Sequence, residues 1–186
     1  MATESSDREG MRINKYIAHA GVCSRRDADD LVEQGRVHID GERVDQHGTR
    51  VREGQTVTVD GEEVYPLEFE YLLLNKPKDT ISTTDDPKDR RTVLDAIGVP
   101  EDNPSGLFPV GRLDRNTTGV LLVSNDGDLA HRLMHPRYEI PKIYYVRVQD
   151  DVKPHQLDQL KRGVELSDGA AAADQVAYLD PQRKTD

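Results

Sequence analysis

Val110-Gly111-Arg112-Leu113-Asp114-Arg115-Asn116-Thr117-Thr118-Gly119-Val120-Leu121-Leu122-Val123-Ser124-Asn125-Asp126-Gly127 sets one acidic residue in a charged, glycine-bounded loop directly before an apolar strand. A lone carboxylate nucleophile is presented in this way. The plainer reading is a turn in which Asp114 caps backbone amides, as most loop aspartates do. Two other chemistries fit worse. No Lys-Ser/Thr pair follows the glycines, as a phosphate-cradling loop requires, and no Gly-x-Ser-x-Gly nucleophile elbow occurs in the chain.

Downstream of this loop, Gly119 to Ser124 is predicted as a central strand, and Asp128 as the cap of a helix carrying Leu129, Leu133 and Met134 up to Pro136. Asp126 and Asp128 beside a glycine do not follow the twelve-residue calcium loop, so a turn and a helix cap account for them better. His131 and His135 are four apart, but no glutamate lies between them and no third ligand is evident. They read as surface or partner-facing histidines, and no metal site is expected. Lys142 to Val148 alternates as a strand, Pro154 to Arg162 reads as a helix, and Gln175 to Leu179 as a last strand.

Upstream, Tyr71-Leu72-Leu73-Leu74-Asn75-Lys76-Pro77 reads as a buried strand ended by proline, followed by a polar loop over Asp79 to Pro87 and a short helix over Thr92 to Ile97. The first part of the chain is different in character. Ile13, Tyr16, Ile17 and Ala20 recur at helical spacing. A second helix follows the Gly21-Val22-Cys23 turn, with Ser24 as cap, Asp27 in a capping-box-like position, and Ala28, Leu31 and Val32 on its apolar side up to Gly35. Arg36 to Asp40 and Thr56 to Asp60 alternate between glycines as short strands. Arg12, Lys15, Arg25 and Arg26 gather around this helix-turn-helix corner, next to the positive end of the second helix, where phosphate is favoured.

A chain of 186 residues, 35% hydrophobic and 32% charged, with no apolar run of membrane-spanning length, is expected to be a soluble protein of one or two domains. Residues 1–10 read as a disordered polar tail without a signal peptide, and the chain as cytoplasmic with no membrane partner. A single cysteine, Cys23, excludes an internal disulfide. The net charge of −10 means that any nucleic-acid site must be a local basic patch.

The Asp114 loop resembles the catalytic motif of pseudouridine synthases of the RsuA/RluB family, G-R-L-D-x-x-T-x-G-L-L-L-x-[ST]-N-D-G, at nearly every position, so that Arg112, Thr117, Gly119 and Asn125-Asp126-Gly127 are covered together with Asp114. Leu74-Asn75-Lys76-Pro77 is similar to the family's L-N-K-P motif, although Lys78-Asp79 stands where a glycine usually follows. Tyr144 occupies the tyrosine of the family's K-x-Y-x-V motif. Arg12-x-Asn14-Lys15, Ala20-Gly21-Val22-x-Ser24-Arg25-Arg26 and Gly35-Arg36-Val37-x-Ile39-x-Gly41 resemble the S-four RNA-binding domain often fused to these enzymes.

The resemblance implies an α+β fold: an S-four-like module over residues 11–63, then a mixed, mostly antiparallel β-sheet catalytic domain with flanking helices over 64–186. It implies isomerisation of a uridine in ribosomal RNA, slightly favouring the large subunit, with no metal, nucleotide or other cofactor, by a protein that is a monomer when full length. Asp114 attacks the anomeric carbon or assists glycal formation, addition to the pyrimidine ring being the older alternative. Tyr144 lies against the uracil and helps remove the proton from carbon 5. The base must leave its stack to reach the carboxylate. Arg115 then enters the vacated stack or holds phosphates, Arg112 orients Asp114 or anchors the loop, and Lys76 and Arg137 extend a basic path. Arg12, Lys15, Arg25 and Arg26 bind RNA. A non-catalytic RNA-binding or ribosome-assembly protein is the competing class, and it needs neither the Asp114 loop nor Tyr144.

Family members also continue into another strand and a basic helix beyond the segment matching Gln175 to Leu179. A chain ending at Lys184-Thr185-Asp186 is therefore expected to be weakly active or inactive, with an exposed sheet edge. The expected cause is a missing basic partner for the aspartate, whose pKa burial can raise by up to roughly 3 to 5 units.

Overall fold

The computed structural model describes residues 10–167 and 169–179. The polar tail expected over 1–10 falls outside these residues except for Gly10, as does the Lys184-Thr185-Asp186 end. The chain forms two compact units, one reaching Ile140 and one starting at Pro141. No helix among the described residues is long and apolar enough to cross a membrane.

The first unit begins with β1 (Met11–Arg12), α1 (Ile13–His19), α2 (Arg25–Glu33), β2 (Val37–Ile39), β3 (Glu42–Arg43), β4 (Arg50–Val51), β5 (Val57–Val59) and β6 (Glu62–Glu63). The apolar spacing explains the helices directly. Ile13 and Ile17, one turn apart on α1, and Ala28 and Val32, one turn apart on α2, are all buried. The Ser24 hydroxyl accepts the Asp27 N–H at 3.3 Å and donates to the Asp27 carboxylate at 2.8 Å, so α2 is capped where the sequence places its start. Between the helices, Gly21 has φ of +75°, and a Cβ there would stand 2.7 Å from the Pro104 carbonyl oxygen, so only glycine fits.

An antiparallel sheet of order β3-β2-β5-β6 provides the other half of this core. Val37 faces Val59 and Ile39 faces Val57 across the central pair, and these four side chains join Ile13, Ile17, Ala28 and Val32 in one cluster. Each valine or isoleucine buried in it contributes about 1.5 to 3 kcal/mol relative to an exposed one, which is how so charged a module holds together. Cys23 packs against the edge of the cluster as a partly buried residue.

The unit continues with β7 (Tyr71–Lys76), α3 (Val93–Ile97), β8 (Phe108–Val110), β9 (Gly119–Ser124), α4 (Gly127–Met134) and a 3-10 turn at Pro136–Tyr138. The three strands form an antiparallel sheet of order β7-β9-β8, with β9 central as its sequence predicts. Leu74 and Val123, from one face, pack with Leu94, Ile97, Val99 and Leu107. β7 departs from the expectation of a buried strand: Leu73 is 76% and Tyr71 51% exposed. The physical reason is its edge position and the period of two, which turns Tyr71, Leu73 and Asn75 to the face opposite that cluster. The cap of α4 also differs from the expected one. The Asp126 carboxylate, not that of Asp128, accepts the N–H groups of Asp128 and Leu129, at 3.1 and 2.9 Å.

The loop before α3 is braced by Asp86, whose carboxylate receives two Arg90 guanidinium hydrogen bonds at 3.0 and 2.6 Å and the backbone N–H groups of Arg90 and Lys88. The Arg90 side chain, more than the backbone amides, holds the Asp86 carboxyl well below the usual carboxylate value of 3.8. A depressed folded-state pKa contributes stability that is present above the unfolded value and lost as pH falls below it. Asp86→Asn is therefore expected to lower the urea midpoint at pH 7, with the difference from wild type narrowing as pH drops from about 5 towards 3. A difference independent of pH would refute this account.

The second unit holds α5 (Pro154–Arg162), β10 (Val164–Leu166) and β11 (Gly169–Ala171). α5 coincides with its predicted range. Pro154 opens it, and Gln156 accepts the Lys153 N–H at 2.8 Å. The two expected strands do not form. Residues 142–148 and 175–179 carry no strand pairing among the described residues, and the hairpin β10-β11 forms instead. Alternation makes a strand possible, but only a partner's N–H and C=O groups make it one.

Candidate active site

Asp114 stands on the loop of residues 111–118 that joins β8 to β9. The loop opens at Gly111, with φ of +91°, and closes at Gly119, with φ of +147°, both conformations that residues with a Cβ rarely adopt. Thr117 N–H donates to the Asp114 carbonyl at 3.0 Å, folding the tip into a turn. The Ser82 hydroxyl grips the loop on both sides of one residue, accepting from Leu113 N–H at 3.1 Å and donating to the Leu113 carbonyl at 2.8 Å. Thr80 N–H adds a bond of 3.2 Å to the Arg115 carbonyl.

Beneath the loop lies Lys76, the last residue of β7, with no exposed surface. Its ammonium donates to the carbonyls of Thr117 at 2.9 Å, Asp114 at 3.0 Å, Arg115 at 3.1 Å and Pro77 at 3.2 Å. In the antiparallel register Lys76 faces Gly119, which has no side chain to compete for this space. Burial lowers the Lys76 pKa, while the negative charge of Asp114 works in the opposite direction. The residue expected on a basic path is thus inside the protein, its charge spent on the backbone of the loop above it. A buried ammonium needs such partners, and the alternation of β7 could have revealed it, since Lys76 shares the parity of Leu72 and Leu74.

The Asp114 side chain is exposed and accepts no hydrogen bond or ion pair among the described residues. It does not cap the loop; only its carbonyl takes part in the local bonding. A caged backbone carrying an unencumbered carboxylate suits nucleophilic attack on a group that comes from solvent.

The other expected site residues fall in different places. Arg115 is engaged by Asp79, with its Nε at 2.5 Å from the carboxylate, so the charge expected to enter an RNA stack is paired in this structure. Arg112 is exposed and makes no ion pair with Asp114; it lines a hollow of about 400 Å³ with Ser82, Phe108, Gly111 and Met134. Tyr144 lies in the second unit, 62% exposed. At the helix-turn-helix corner, Arg12, Arg25 and Arg26 are exposed without ion pairs among the described residues. Lys15 differs from them because its ammonium bonds the Asp128 carboxylate at 2.6 Å. Asn125, one of the motif residues, is a brace: its amide carries bonds to Glu70 N–H and to the Glu68 and Ser105 carbonyls, at 2.9, 2.9 and 3.1 Å.

Among known proteins, residues 70–184 match the family model described as RNA pseudouridylate synthase, and residues 11–57 match the S4 domain. The chain is 44% identical to an RNA pseudouridine synthase of Aquifex aeolicus (strain VF5), over 91% of this chain and 68% of that protein. It is 40% identical to the ribosomal large subunit pseudouridine synthase B of Bacillus subtilis (strain 168), over 94% of this chain and 71% of that protein. An RNA pseudouridine synthase of Mycobacterium bovis is 42% identical over 95% of this chain and 70% of its own length.

Proposed function

The chain belongs to the RNA pseudouridylate synthase family, and from that membership we propose that it converts a uridine of ribosomal RNA to pseudouridine with Asp114 as nucleophile. The observation that carries this reading is the exposed Asp114 carboxylate on a loop whose carbonyls converge on the buried Lys76 ammonium.

In the reaction the bond from the ribose anomeric carbon to ring nitrogen 1 breaks and a bond to carbon 5 forms. Carbon 5 loses a proton and nitrogen 1 gains one, so no oxidant or co-substrate enters. Asp114 holds or releases the sugar while the base turns. Tyr144, at the family's tyrosine position, is the group assigned to the uracil face, and its exposed phenol is compatible with proton removal from carbon 5. Large-subunit RNA is the favoured substrate, a reading supported by the likeness to the Bacillus subtilis protein. The test is release of tritium from carbon 5 of labelled uridine in protein-free ribosomal RNA; absence of release from both subunits' RNA overturns it.

RNA affinity is assigned to the helix-turn-helix corner, where Arg25 and Arg26 sit exposed in the first turn of α2. Replacing both by alanine is expected to weaken rRNA binding and to flatten the slope of log affinity against log salt by roughly 0.7 to 0.9 for each phosphate no longer neutralised. Titrations at several salt concentrations measure it, and an unchanged slope removes the corner from the interface.

A further inference from the structure

From Leu129 to Tyr138 the chain has no carboxylate, yet it carries Arg132, Arg137, His131, His135 and Tyr138. In a protein of net charge −10 this is a local reversal of sign. The structure draws the two histidines, Arg137 and Tyr138 together at the end of α4 and the 3-10 turn behind it. The Arg137 guanidinium lies over the Tyr138 ring, 4.5 Å from its centre, and its Nη2 donates to the Tyr138 hydroxyl. His131 meets the same ring edge-on at 5.8 Å, and His135 does so at 6.4 Å. The two imidazoles stand 4.9 Å apart. His135 Nδ1 accepts the Arg137 N–H at 3.2 Å, which ties the turn to the helix end.

The cluster lies outside the buried core. Here His131, Arg132, His135 and Arg137 are exposed, Tyr138 is half-buried, and Ala130 alone is buried on α4. The site also has a position relative to the chemistry, because Met134 on α4 lines the same hollow as Arg112 from the Asp114 loop.

We propose that the exposed Arg137 guanidinium over Tyr138, with the two histidines set around the same ring, is a stacking platform for an unpaired base of single-stranded RNA flanking the reacting uridine. A guanidinium held over an aromatic ring offers its free planar face to a nucleobase, and its charge matches an adjacent phosphate. Extruding a uridine leaves its neighbours unstacked, so a nearby platform compensates part of that loss. The proposal rests on the RNA-modifying reading above.

The probe is a fluorescein-labelled ten-residue oligouridine, and the variants are Arg137→Ala, Arg137→Lys and Tyr138→Leu, each first shown by thermal melting to be folded. Stacking predicts that both Arg137 variants weaken binding by about tenfold, because lysine retains the charge and lacks the planar face. The salt slope stays at the wild-type value in Arg137→Lys and flattens by roughly 0.7 in Arg137→Ala. KM for ribosomal RNA rises by a comparable factor in both. Wild-type affinity in Arg137→Lys with weakening only in Arg137→Ala would reduce the site to a phosphate-binding charge and overturn the platform. Tyr138→Leu serves where an arginine variant melts early: a folded Tyr138→Leu with wild-type affinity also overturns it. If the wild-type protein modifies no ribosomal RNA yet the arginine variants lose oligouridine binding, the enzymatic reading fails and the stacking site stands.

Discussion

Replacing Asp114 with asparagine is expected to abolish pseudouridine formation while leaving the fold and the RNA affinity unchanged. Asparagine has nearly the same size, and the bonds that shape the loop run through the Asp114 carbonyl, which bonds Thr117 N–H and the Lys76 ammonium, each at 3.0 Å. Those bonds survive the substitution. What disappears is the anionic oxygen to which the attack is assigned, and removal of a nucleophile commonly lowers turnover by roughly 10⁴-fold or more. Tritium release under single-turnover conditions, together with rRNA titration and thermal melting, separates the three quantities. Turnover within about tenfold of wild type in the asparagine variant would remove Asp114 from the chemistry.

Lys76→Met is expected to produce the largest loss of stability among single substitutions at the site, about 3 to 5 kcal/mol. Two opposed effects set the sign. Burial depresses the Lys76 pKa below its usual 10.5, so the charged form is held in the fold at a cost that methionine does not carry. Against this, the carbonyls of Pro77, Asp114, Arg115 and Thr117 all lose the ammonium together. Asp114 and Arg115 keep a backbone donor each, from Thr117 and Thr80, whereas Pro77 and Thr117 keep none among the described residues. Unpaired buried acceptors cost about 1 to 3 kcal/mol each, so the second effect wins. Hydrogen exchange is expected to rise over residues 113–117, and turnover to fall with the loop's order. Equal melting temperatures and equal exchange in wild type and variant would refute the role assigned to Lys76. The pH dependence has a definite direction as well: a depressed folded-state pKa means that the cost of charging Lys76 is present below the folded value and relieved as pH rises from it towards 10.5.

Helices α1, α2, α3 and α5 lie where apolar spacing, Ser24, Thr92 and Pro154 place them, because caps and i to i+4 contacts are made within a few residues. The cap of α4 marks the limit of such local signals: Asp126 and Asp128 both suit a helix start, and the N–H groups of Asp128 and Leu129 select Asp126.

By itself the sequence determined the helix-turn-helix core, the strands β7 and β9 and the loop that presents Asp114, since each is encoded by residues close together in the chain. The tertiary structure decided which charges are free. Lys76 is buried beneath a loop about forty residues away, Arg115 is bound to Asp79, and Lys15 to Asp128. It also decided which alternating segments are strands, pairing β10 with β11 and leaving 142–148 without a partner among the described residues. A side chain's type sets what it can bond, but its exposure and its partner depend on groups brought near by the fold, and those distances are not written in local spacing.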